Sequence, residues 1–99
     1  MIAETEAKRL LMDKLSRGSL ARVPVRIIDE KTVSVEVGWV FFYQSDRFLA
    51  TGDKRSRLLG NGPAIVNRHT GEVVLCSSAG SWRQCLTEYE ARLRPPETA

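Results

Sequence analysis

The sequence predicts an α+β domain: an antiparallel four-stranded sheet with an N-terminal and a C-terminal helix packed on it, in the order α-β-β-β-β-α. Three observations predict it. Apolar residues fall at helical spacing near both ends of the chain, and they alternate with period two between those ends. No linker or repeat divides the 99 residues, which are one domain's worth of chain. Residues 1–99 therefore read as a single domain.

The first helix rests on Ala3, Ala7, Leu10, Leu11 and Leu15, which form one stripe. Glu4 with Lys8 and Arg9 with Asp13 are placed to pair weakly across a turn, and Gly18 is a natural stop. "VPVRIID" alternates as a strand, and Pro24, with no N–H to donate, puts that strand's start or its whole length at an edge. "DEK" then reads as the turn. "TVSVEVGWVFFY" reads as one long strand with Val33, Val35, Val37, Trp39, Phe41 and Tyr43 on one face. Past Gly38, Val40 and Phe42 make both faces apolar, so that end is covered on both sides or central. Gly38 marks a bulge or a bend.

The irregular middle offers Ser45 or Asp46 as cap for a short turn bearing Phe48 and Leu49. Asp53 offers a cap for a second turn bearing Leu58 and Leu59. "GNGP" breaks any helix. "AIVN" and "EVVLC" form a hairpin across "RHTG", in which Gly71 takes the positive φ. Ser81 with Gln84 matches a capping box. Trp82, Cys85, Leu86, Tyr89 and Leu93 complete an amphipathic helix that Pro95 and Pro96 stop.

Composition narrows the function classes. Charged residues are 27% and hydrophobic residues 42%, a globular balance, and the net charge is +3. Residues 51–71 are skewed, with Lys54, Arg55, Arg57 and Arg68 against Asp53. That group is not interleaved with aromatics, so nucleic-acid binding lacks its stacking platform. The N-terminus has no basic region followed by an apolar run, and no stretch is long enough to span a bilayer. The expected compartment is the cytoplasm, where Cys76 and Cys85 read as buried thiols, with a disulfide between them as the alternative.

No catalytic signature emerges. His69, the single histidine, falls in a hairpin loop away from any buried nucleophile. Ser77, Ser78 and Ser81 do not form a nucleophile elbow. "GNGPAI" lacks the third glycine of a dinucleotide loop, precedes a strand, and carries Pro63 where a phosphate would need an N–H. Neither a metal nor a cofactor is expected, and the chain does not read as an enzyme.

From Trp39 onward the chain resembles the immunity protein 35 (YrhB-like) family. The likeness is carried by "WVFFYQSDRFLATGD", "RLLGNGPAIVNRHTGEV" and "LTEYE", about half of the chain. The resemblance implies an immunity protein of a bacterial polymorphic toxin system, one that binds a cognate toxin, blocks it by stoichiometric occlusion and has no catalysis of its own. The alternative is a small chaperone-like or regulatory binding module. Exposed charges on loops 46–57 and 68–70 make the expected partner surface: Asp46, Arg47, Lys54, Arg55, Arg57, Arg68 and His69. The free chain is expected to be a monomer or a weak homodimer.

Overall fold

A computed structural model describes residues 1–18, 20–58 and 61–93. Eleven buried hydrophobic residues among them form two clusters, one on each side of a sheet. α1 (Glu4–Arg17) buries Ala7, Leu11 and Leu15, with acids in its first turn and Lys14 and Arg17 in its last, as the helix dipole favours. Gly18 ends α1 in an extended conformation, its N–H donating to the Leu15 carbonyl at 3.3 Å. Arg9 pairs with Glu6, and Asp13 with Arg17 at 3.3 Å, so the expected Arg9–Asp13 pair does not form.

The strands that follow are β1 (Val25–Ile27), β2 (Val33–Ser34), β3 (Gly38–Phe41) and β4 (Tyr43–Ser45). The short helix α2 (Asp46–Thr51) leads on to β5 (Asn61–Asn67), β6 (Val73–Ser77) and α3 (Trp82–Leu93). β2-β3-β5-β6 make a four-stranded antiparallel sheet, and β1 pairs with β4 in a separate two-stranded one.

The α+β class holds, but the strand plan differs from the expected single sheet. "TVSVEVGWVFFY" is not one strand. It reverses at Glu36–Val37, closed by Val35 N–H to Gly38 O at 2.9 Å and Gly38 N–H to Val35 O at 3.2 Å. Asp29–Lys31, expected to be the reversal, is a 3-10 turn that only kinks the ascending chain. β1 and β2 thus lie end to end along one flank of residues 38–45. Carbonyls of Gly38 and Phe42 both point to that flank, accepting from Val35 and Ile28. The reversal also changes which face each valine takes. Val33, Val35 and Val37 pack with Val40 and Ile65 under α3, while Trp39 and Phe41 pack with Ala64 and Val66 under α1. Both faces of β3 are covered, which is why all four of its residues are buried.

Gly38 is fixed by space. A Cβ there would stand 1.8 Å from the Val66 carbonyl oxygen. Pro63 sits in a central strand because the β5–β6 register shifts between Asn61 and Ala64, a bulge that spares the ladder a donor. The β5–β6 hairpin forms as expected, with Gly71 at φ 77°. Along α3, Trp82, Cys85, Leu86 and Tyr89 face the second cluster while Leu93 is exposed. The Ser81 hydroxyl accepts from Gln84 N–H at 3.1 Å, the first half of the expected capping box; the Gln84 side chain turns instead to Glu88.

The cysteine expectation is corrected. Cys76 on β6 and Cys85 on the first turns of α3 are joined by a disulfide, their Cα atoms 6.0 Å apart. The second apolar stripe brings α3 down on β6 at that spacing, within the range that a disulfide bridges. Leu59, Gly60, Pro95 and Pro96, to which the sequence assigned a turn, a bend and a helix stop, lie outside the described residues.

Candidate interaction surface

The segment 46–58 is a frame built from local polar bonds. Ser45 caps α2, its hydroxyl accepting from Phe48 N–H at 3.2 Å, and Gly52 closes the helix in the left-handed region at φ 73°. Asp53 caps the 3-10 turn Lys54–Ser56, its carboxylate accepting from Arg55 N–H at 3.0 Å. Thr51 donates to the Arg47 carbonyl at 2.7 Å and accepts from Asp53 N–H at 3.2 Å. At the far end the Gln44 side-chain oxygen accepts from both Ser45 and Leu58 N–H, at 2.8 and 2.6 Å. Ser, Asp and Gly at these spacings are the ordinary grammar of short helical turns, and that is why this region was legible in the sequence.

Asp53 lies inside this frame and the cations outside it, while Asp46 is half-exposed. Asp53 is only 22% exposed and lies between Arg47 at 3.8 Å and Arg55 at 3.4 Å, whose side chains are 73% and 91% exposed. Asp46 is held by Arg26 from β1. Arg57 lies over the Phe48 ring at 5.8 Å, and Lys54 is exposed beside it. Five basic side chains therefore stand against two acids that are both already paired. Each pair is worth little in water; what the caps set is the backbone from which these side chains project.

Arg68 and His69 are not brought to this frame. Gly38 pairs with Asn67 at one end of β3, whereas the 46–57 frame continues from the other end through β4. The Arg68 guanidinium donates to the carbonyls of Val35 at 2.7 Å and Gly38 at 3.0 Å and lies 4.8 Å from the Trp39 ring centroid. It clamps the Glu36–Val37 reversal. His69 is exposed at the hairpin tip, where its N–H is held by Asn67.

Sequence reasoning missed the polar knot beneath that tip. The buried Asn67 accepts from His69 and Thr70 N–H at 2.8 and 3.1 Å and donates to the Tyr89 hydroxyl at 3.0 Å. Tyr89 donates in turn to Glu72 at 2.6 Å. Burial, and then the Glu72 bond, push the Tyr89 hydroxyl above the ordinary tyrosine range. An Asn ahead of a tight loop was the available signal. Among the described residues no group of three or more His, Cys, Asp or Glu is placed to hold a metal ion, and no helix is long and apolar enough to cross a membrane.

Comparison with known proteins bears on the whole of this frame. The family model for immunity protein 35 matches residues 5–92. The chain belongs to the immunity protein 35 family. The match takes in α1 and β1 as well as the segments from Trp39 onward that carried the resemblance. A curated relative, an uncharacterized protein YrhB of Escherichia coli (strain K12), is 36% identical over 55 residues. That alignment covers 56% of this chain and 58% of the relative, so the chain spans little more than half of the curated relative it matches. No solved structure matches.

Proposed function

We propose that this immunity protein 35 chain neutralises a cognate bacterial toxin by docking on it one to one and occluding the surface the toxin works with, without catalysis of its own. The single observation behind this reading is the basic, pre-set frame of Arg47, Lys54, Arg55 and Arg57 on a chain whose family is one of immunity proteins. The frame holds exposed cations at fixed positions through caps that ride on β4. A rigid presentation lowers the entropy lost on docking, and clustered charge raises the encounter rate with an acidic partner. Asp46 contributes by pairing with Arg26 of β1 at the start of α2. His69 offers a second, separate contact at the hairpin tip, and Arg68 supports that tip from beneath.

Titrating the cognate toxin with this chain tests the reading. Toxin activity should fall linearly to a residual level at one equivalent. A need for large excess, or equal protection of unrelated unfolded proteins, would favour the chaperone-like alternative.

A further inference from the structure

β6 is an edge. Its hydrogen-bonded partner is β5, and among the described residues nothing pairs with its other side. The direction of each backbone group follows from the ladder. Asn67 N–H donates to Glu72 O, and Arg68 N–H donates to Val37 O on the opposite flank of β5. Residues 65 and 67 of β5 therefore turn their polar groups to β6, and 64 and 66 turn theirs to β3. Given the register, Val74 faces β5, whereas Val73 and Leu75 direct N–H and C=O outward from the sheet.

This edge lacks the devices that normally blunt one. Val73–Ser77, "VVLCS", holds no charge, no proline and no bulge of its own, and Leu75 is 47% exposed. It is also complementary to itself. Antiparallel pairing of two copies about Val74 sets Val73 against Leu75 twice and Val74 against Val74. The three central facing pairs are then apolar, with Cys76 set against Glu72 and Ser77 against Gly71 beyond them, and the outward donors and acceptors of Val73 and Leu75 are met in both strands. The rim carries both signs: beside Leu75, α1 presents Lys14 together with Arg17, which pairs with Asp13 at 3.3 Å.

We infer that a second copy of this chain pairs through β6, joining two four-stranded sheets into one of eight strands across a twofold axis. The contact is isologous and closes at two. Its strands are short, so the dimer is weak and reversible. It leaves the 46–57 frame, whose helix α2 packs on β1 and β4 of the other sheet, free for a different partner.

Sedimentation velocity from micromolar to millimolar protein tests this, with amide hydrogen exchange at both extremes. The weight-average mass should climb toward twice that of the chain. Exchange at Val73 and Leu75 should slow at least severalfold with concentration, while Val74 stays protected throughout. Leu75→Lys should hold the mass at one chain at every concentration. Leu75→Pro should do the same, since it deletes an outward N–H and no β5 bond. A single-chain mass for the wild type at millimolar concentration overturns the inference, as does a dimer that survives Leu75→Lys. So does a wild-type monomer whose Val73 and Leu75 amides become protected only on adding toxin, because the edge would then belong to the toxin.

Discussion

The Tyr89 hydroxyl accepts from the Asn67 side-chain amide at 3.0 Å and donates to the Glu72 carboxylate at 2.6 Å, tying α3 to both ends of the β5–β6 loop. Asn67 and Tyr89 are both almost fully buried, so neither group can turn to water if its partner is lost. Tyr89→Phe should cost about 1–3 kcal/mol, the penalty of leaving buried polar atoms unpaired. Asn67→Ala should cost more, because the amide oxygen also accepts from His69 and Thr70. Urea midpoints at constant m-value measure both.

Burial raises the Tyr89 hydroxyl, helped by Glu72, and burial alone raises Tyr43. An acid whose folded value is raised contributes stability that is complete below its unfolded value, about 10. That stability is lost as pH climbs through the folded value. Stability should therefore be flat through neutral pH and fall above about 10. Tyr89→Phe should show a shallower alkaline fall than wild type in urea melts at stepped pH; an equal fall would assign the loss elsewhere.

Two glycines should fail for different reasons. A Cβ at Gly38 meets the Val66 carbonyl at 1.8 Å, so Gly38→Ala must push β3 from β5 and should cost about 2–4 kcal/mol. A Cβ at Gly52 meets nothing, but φ is +73°, so Gly52→Ala should cost only about 1–2 kcal/mol of backbone strain. Gly52→Asn should recover part of that, since Asn tolerates the left-handed region.

The disulfide closes a short loop, with nine residues of separation. Chain-entropy arithmetic for that length gives about 2.5 kcal/mol at room temperature. Dithiothreitol should lower the wild-type Tm and leave the Cys76→Ser/Cys85→Ser double variant unchanged. Mass spectrometry after alkylation should count no free thiol before reduction and two after it.

Local grammar carried much of this fold. The α1 and α3 stripes, the caps at Ser45, Asp53 and Ser81, and the Gly71 hairpin each depend on residues close in sequence, and each was legible. The reversal at Glu36–Val37 was not. It is a two-residue hairpin loop with neither glycine nor asparagine, and neither residue has positive φ, so none of the usual hairpin signals mark it. Alternation ran through it unbroken, and the parity switch between Val37 and Trp39 is visible only once β5 is in place. Arg68 illustrates the same limit. In sequence it is a charge in a turn, and the acceptors that hold it are 30 and 33 residues away. The Cys76–Cys85 bond needed the docking of α3 on β6. The basic frame at 46–57 was legible because its caps and its charges are neighbours in the chain.

We propose this frame as the docking site for the toxin. Calorimetric titration of the cognate toxin with the Arg55→Glu/Arg57→Glu variant tests it most directly, with Tm measured on the same sample. Affinity should weaken at least tenfold, about 1.4 kcal/mol. Stability should stay within about 0.5 kcal/mol of wild type, as for exposed side chains. Unchanged affinity in a folded variant would contradict the proposal.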